Sequence, residues 1–174
     1  MGLLDKYIAK IAGPAPDMTA LLTPLLGPDD ELLASAMGIA EAFERGGGVG
    51  TGFNALLNMA VNTALTAHAE SAHIGGAEGS IAQTLPRDSE TLTLVVSRAG
   101  LSAWKWDGYP GEKLKAYYRV AAEHITSIAD TGKGAQGGAR ICRVTFIDDS
   151  FFDYRLMSSQ AEFLLAANLV WPVP

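Results

Sequence analysis

The stretch Thr91-Leu-Thr-Leu-Val-Val-Ser97, continued by Arg98-Ala-Gly100 and Leu101-Ser-Ala-Trp-Lys-Trp106, decides the fold of this chain. Apolar and polar side chains alternate in the first part, which is typical of a β-strand. The middle part has the composition of a turn, because glycine adopts backbone angles that other residues avoid. The third part returns as the partner strand, so the sequence predicts an antiparallel hairpin.

Further strands are predicted downstream of this hairpin. Residues 114–120, 123–129, 141–147 and 151–157 have strand patterns, and the glycine-rich residues 131–138 predict an exposed loop. Ser158 or Ser159 then serves as the N-cap of a helix with an apolar stripe. The stripe consists of Phe163, Ala166, Ala167 and Val170. This order of elements predicts an antiparallel sheet followed by one amphipathic helix.

Two short helices are predicted near the N-terminus. The apolar face of the first, at residues 3–12, consists of Leu3, Leu4, Tyr7, Ile8 and Ile11. Gly13-Pro-Ala-Pro16 ends that helix, and Asp17 is a suitable N-cap for the second. Residues 1–28 therefore form a predicted helical extension.

Residues 29–45 fit two interpretations. Their apolar side chains recur at helical spacing behind Asp29 or Asp30 as a cap, which favours a helix. The other interpretation places the first strand of the sheet within residues 31–42, although Ala and Glu are poor strand formers. The residues leave both interpretations open.

The segment 46–69 contains no formally charged side chain if His68 is neutral. Gly46–Gly52 is a flexible connector, and a helix is predicted over about 49–73, apolar around most of its circumference with an asparagine stripe. Candidate protein-contact residues on it are Phe53, Asn54, Leu57, Asn58, Val61, Asn62 and Leu65. The stripe disfavours a membrane span, because each amide needs a partner in hydrocarbon. The helix is expected to pack on the sheet, on a second copy or on a membrane surface.

Three ordered motifs resemble the bacterial PH-like (GRAM-like) domain family. The hairpin around Ser97-Arg-Ala-Gly-Leu101 is similar to the family's strand–turn–strand signature, but it lacks the usual Asp in the turn. Residues 123–128 resemble the family's Ile-Thr-Ser-Ile segment. Val144-Thr-Phe-Ile-Asp-Asp-Ser150 resembles its Leu-Thr-Phe-x-Asp-Gly-Ser hairpin, with Asp149 where Gly is usual.

The resemblance implies an α+β fold: an antiparallel β-barrel of about seven strands, half open and capped by the C-terminal helix. Residues 29–174 would form this domain, with its first strand upstream and the apolar helix of residues 49–73 as an insertion. It implies no catalytic residues. It also implies that phosphoinositides or peptides, which eukaryotic relatives bind, are conceivable ligands.

Composition excludes several classes of function. The net charge of −6 disfavours nucleic acid, since phosphate binding needs a basic face. Cys142 is the only cysteine, which excludes an internal disulfide and fits a reducing cytoplasm. No secretory signal is expected, because Asp5 and Lys6 interrupt the apolar start. We therefore expect a cytoplasmic protein, with peripheral contact at the inner membrane face as the variant.

Motifs for catalysis, metals or cofactors are not expected. His68 and His73 have the wrong spacing for a helical zinc pair, and Cys142 is expected in the core. Three aspartates, Asp148, Asp149 and Asp153, are interpreted as turn residues at a hairpin tip. No enzyme, no metal site and no cofactor is therefore predicted.

One basic cluster is a candidate for binding anionic lipid headgroups. It consists of Lys105, Lys113, Lys115 and Arg119, among the tryptophans and tyrosines of the predicted barrel rim. Ordinary exposed lysines beside cross-strand aromatic pairs are the alternative. The first functional hypothesis is a protein-contact or self-association module, the second is a peripheral phospholipid binder, and the third is a carrier of an apolar small molecule.

Overall fold

The computed structural model describes residues 17–41, 72–87, 90–107 and 113–172. Its helices are α1 (Met18–Leu22), α2 (Ile81–Thr84) and α3 (Gln160–Val170), with 3-10 turns at Thr23–Leu25, Ala122–His124 and Gln136–Gly138. Its strands are β1 (Leu32–Ala40), β2 (Ile74–Gly75), β3 (Leu92–Ser97), β4 (Gly100–Asp107), β5 (Lys113–Ala121), β6 (Ile125–Gly134), β7 (Arg140–Phe146) and β8 (Phe151–Leu156). The predicted mixture of antiparallel strands and a C-terminal helix is confirmed.

The seven longer strands form one antiparallel sheet in the order β5-β4-β3-β1-β8-β7-β6, and β2 pairs with β8 beside them. The first strand thus lies between the second and the last of the longer strands. Within the described residues β5 and β6 are the two edges, so the sheet is not closed. The described strands therefore do not form a fully closed barrel.

The helical interpretation of residues 29–45 is wrong, because Leu32–Ala40 is strand β1. This strand is paired on both sides, and its small residues fit the crowded centre of the sheet. A Cβ added to Gly38 would lie 2.8 Å from the Leu94 side chain. Tertiary pairing has overridden a local pattern that favours helix, as is common for strands of alanine and glycine.

The main core lies on the inner face of the sheet, which we define by Leu92, Leu94 and Val96 of β3. The same face carries Phe152 and Tyr154 of β8, both at most 1% exposed. Helix α3 covers this core with Phe163, Ala166 and Ala167, three of the four residues predicted for its stripe. Trp171 follows α3 into the core, and its Nε1 donates to the Ala122 carbonyl over 3.0 Å.

A second, smaller core lies on the opposite face of β3 and β4, which we call the outer face. Leu22 and Leu26 are fully buried there against Val95 and Trp104. The predicted cap of α1 is confirmed, because Asp17 accepts hydrogen bonds from the backbone N–H groups of Thr19 and Ala20. The described part of the N-terminal extension is therefore packed against the sheet.

Residues 75–87 contain more regular structure than their glycine-rich composition indicates. They include α2, and Ala82 and Leu85 are buried in the main core. No side chain of its own caps α2. Instead, Asp148 accepts a hydrogen bond from Ile81 N over 2.8 Å, and the Ser150 hydroxyl accepts one from Ala82 N over 3.2 Å. The β7–β8 turn thus provides the cap, which a reading of neighbouring residues alone misses.

Candidate functional site

An apolar groove runs between edge strand β6 and helix α3. It has a volume of about 360 Å³, and Ile128 and Ala129 line it from β6 while Leu164 and Leu165 line it from α3. Leu165 and Leu169 are 67% and 72% exposed, the highest values among the large apolar side chains of the described residues. They lie one helical turn apart on the same side of α3, and Leu165 lines the groove.

In the part of the sheet that the structure describes, one edge of β6 has no strand hydrogen-bonded to it. In the described part of the sheet β6 pairs only with β7. Its pairing is interrupted near Thr126 and again after Asp130, which leaves a regular run over residues 127–130. That run borders the groove, so an unpaired row of backbone donors and acceptors lies beside the exposed leucines.

One charged group marks the end of the groove. Asp130 lines it and pairs with Arg140, whose Nη1 lies 2.5 Å from the carboxylate. Partial burial opposes ionisation, but hydrogen bonds from Arg140 and Gly132 N–H hold the pKa of Asp130 below its ordinary value. The carboxylate therefore stays ionised at neutral pH and is paired with Arg140, and Asn168 is the other polar side chain among the described residues that line the groove.

The four cations of the predicted lipid site do not form one patch. Lys105 lies opposite Lys115 in the β4–β5 pairing, and Lys113 is two residues further along β5. Arg119 lies opposite Ser102, whose side chain shares the outer face with Trp104. Since successive strand residues point to opposite faces, Lys105 and Arg119 lie on different faces of the sheet.

Two of those cations also have partners within the chain. Lys105 Nζ lies 2.8 Å from the Glu90 carboxylate and 3.5 Å from the centre of the Tyr117 ring. Arg119 donates to the Leu25 carbonyl over 3.1 Å and lies over the Trp104 ring. These contacts attach neighbouring segments to the sheet. Lys113, Lys115 and Arg119 all have exposed side chains on edge strand β5.

The sequence analysis did not predict a buried ionic cluster on β8. Asp153 is 1% exposed and accepts two hydrogen bonds from Arg143, over 2.8 and 2.9 Å. His73 Nδ1 lies 3.0 Å from Oδ2 of the same carboxylate. The interpretation of Asp153 as a turn residue is wrong, because it lies in the middle of a strand. A hairpin centred on Asp148 places Arg143 opposite Asp153, and that register was the available signal.

Described residues on either side of residues 42–71 contact β8. Before that stretch, Glu41 pairs with Arg155 through two contacts of 2.8 Å, and its N–H donates to the Asp153 carbonyl. After it, His73 contacts Asp153. The predicted contact residues Phe53, Asn54, Leu57, Asn58, Val61, Asn62 and Leu65 lie outside the described residues, as does the predicted helix of residues 3–12.

Cys142 is buried on β7, as predicted from its position in the strand. Burial, together with the nearby carboxylates of Asp153 and Asp130, raises the pKa of its thiol to about 12. Because the thiolate is the reactive form, the side chain is inert at neutral pH.

In comparisons with known proteins, no protein-family model and no curated protein matches this chain. Among the described residues, no helix has both the length and the apolar character that crossing a membrane requires.

Proposed function

We propose that this protein is a non-catalytic interaction module of PH-like fold, and that its described contact surface is the groove between β6 and α3. The observation that carries the proposal is the exposed pair Leu165 and Leu169 on α3, of which Leu165 lines a groove beside an edge of β6 that no described strand pairs with. The proposed compartment is the cytoplasm, where a single unpaired cysteine remains reduced.

Strand order supports the PH-like assignment. The first of the seven longer strands lies next to the last, and the C-terminal helix covers the core between the two halves of the sheet. The motifs that carry the resemblance lie in the hairpins and strands that the resemblance implies. The carboxylate missing from the β3–β4 turn is supplied by Asp30, which accepts hydrogen bonds from Ala99 N and the Ser97 hydroxyl, both over 2.9 Å.

The shape and chemistry of the groove favour an extended peptide segment of a protein partner. A strand added to the free edge of β6 would satisfy its backbone groups, and alternate apolar side chains would contact Leu165 and Ile128. An exposed apolar strip next to such an edge is typical of a contact surface. Arg119 lies on the opposite face of the sheet from Lys105, and both have partners within the chain, which supports protein contact over anionic lipid.

The insertion is a proposed second contact element. Glu41 and His73, described residues on either side of it, contact Arg155 and Asp153 of β8. The uncharged, asparagine-striped sequence within it is the reason to assign it to protein contact or self-association.

The proposal is tested by titrating isotope-labelled protein with a short peptide that alternates valine and threonine. Amide signals of β6 and α3 are expected to shift, and Leu165→Asp combined with Leu169→Asp is expected to abolish the shifts. Ile147→Asp is the matched control, because Ile147 is also an exposed apolar residue, 59% accessible, but lies at the β7–β8 turn.

Parallel arms with anionic and neutral vesicles distinguish the lipid alternative. Shifts at Lys113 and Lys115 that require anionic vesicles and fade with salt, without a response of β6 to peptide, would overturn the proposal. Light scattering on the same samples measures mass. Self-association that the two leucine substitutions abolish supports a second copy as the protein partner.

A further inference from the structure

A second cleft lies on the outer face of the sheet, where β1, β3 and β4 line it, whereas the first groove lies at β6. Its volume is about 440 Å³, and its described walls are formed by Met18, Met37, Trp106, Ala36, Thr93, Ser35, Ser158 and Ser159. None of these residues carries a formal charge. Met37 is 46% exposed there although it lies on a strand paired on both sides.

The floor of this cleft is fixed by hydrogen bonds. The Met37 N–H donates to the Ser158 hydroxyl over 3.1 Å, and the Met37 carbonyl accepts from Met157 N over 2.8 Å. The residues just before α3 are thereby held against β1. The cleft is therefore a built feature of the fold, and its apolar walls need a cover.

We infer that the cleft holds the apolar face of residues 3–11 of the same chain. Met18, at one wall of the cleft, is the first residue of α1, so the preceding residues start beside it. The connector Gly13-Pro-Ala-Pro16 spans at most about 14 Å when extended. The segment before it therefore has the cleft within reach.

The chemistry of the two partners also agrees. Leu3, Leu4, Tyr7, Ile8 and Ile11 share one helical face in the sequence. The methionines of the cleft adapt to such side chains, since their thioethers are flexible and polarizable. A short tether raises the local concentration of a segment to the millimolar range, so even weak apolar contact suffices. This assignment is independent of the proposed contact surface.

Cysteine trapping in the full-length chain tests the assignment. Ile8→Cys with Met37→Cys is expected to form an intramolecular disulfide roughly tenfold faster than Ala9→Cys with Met37→Cys. Ala9 is the matched control, because it has the same tether and lies on the opposite helical face. Cys142 gives little background, since its thiol is buried. Equal rates, or a disulfide between two copies, would overturn the assignment.

Tryptophan fluorescence gives a second readout without new cysteines. Trp106 lines the cleft, whereas Trp104 and Trp171 are 3% and 5% exposed. Ile8→Asp is expected to increase acrylamide quenching at Trp106, and Ala9→Asp is expected to leave it unchanged. If Ile8→Asp has no effect while a hydrophobic dye protects Trp106, the cleft takes a small apolar ligand and the assignment is wrong.

Discussion

The outer face of the sheet is covered in two different ways in its two halves. On β3 and β4 the cover is apolar, because Leu22 and Leu26 pack on Val95 and Trp104. On β7 and β8 the same face carries Arg143, Asp153 and Arg155, and the contacts there are ionic. The outer face of one continuous sheet is thus covered by hydrophobic burial in one half and by charge pairing in the other half.

The apolar contacts and the ionic contacts on the outer face have different effects on stability. Apolar burial is non-directional and contributes roughly in proportion to area, so it stabilises the half that the N-terminal segment covers. Buried ion pairs add little net stability, but leaving one partner unpaired is costly, so they fix one arrangement of the chain. They lie where Glu41 and His73 contact β8, at the two ends of residues 42–71.

The largest effect is expected from breaking the apolar cover. Leu22→Ala is expected to lower the free energy of unfolding by about 3 kcal/mol, because it removes a fully buried side chain and leaves a cavity. Leu21→Ala is the matched control, since Leu21 is the neighbouring residue and is 37% exposed. Urea denaturation measures both. Equal losses would show that α1 does not depend on its contact with the sheet.

A smaller loss is expected from breaking the ionic cover. Asp153→Asn is expected to cost about 2 kcal/mol, because Arg143 and His73 lose their charged partner while Asn keeps the size. Glu31→Gln is the control, since its partner Arg98 is 63% exposed and such surface pairs contribute less than about 1 kcal/mol. If denaturation midpoints of the two variants coincide, the cluster does not fix β8.

The smallest effect concerns the cap that the β7–β8 turn supplies to α2. Hydrogen bonds from the Ser150 hydroxyl and from Ile81 N hold the pKa of Asp148 below 3.8, so the folded state favours its ionised form. That contribution is present at neutral pH and is lost as the pH falls through the lowered pKa. Asp148→Asn is therefore expected to destabilise slightly at pH 7 and by a smaller amount at pH 3. Denaturation at both pH values checks it, and a difference that grows in acid would contradict it.

Local pattern predicted the elements whose signal lies in neighbouring residues. The β3–β4 hairpin, the cap at Asp17 and the buried stripe of α3 all follow from alternation, capping chemistry or helical spacing. Strand β1 was left undecided, because an alanine-rich strand in the middle of a sheet has no local signature that separates it from a helix. The groove between β6 and α3 was missed for a related reason: its two walls are more than 30 residues apart in the chain.

The sequence by itself determined the class of secondary structure, the acidic balance, the single cysteine and the apolar stripe of the last helix, because these depend on composition and short-range periodicity. Only the tertiary structure decided that residues 32–40 form a strand, that Lys105 and Arg119 lie on opposite faces, and that Asp153 is buried with Arg143 and His73. These features depend on which strands become neighbours. That choice is made by packing between distant segments, which no local pattern records.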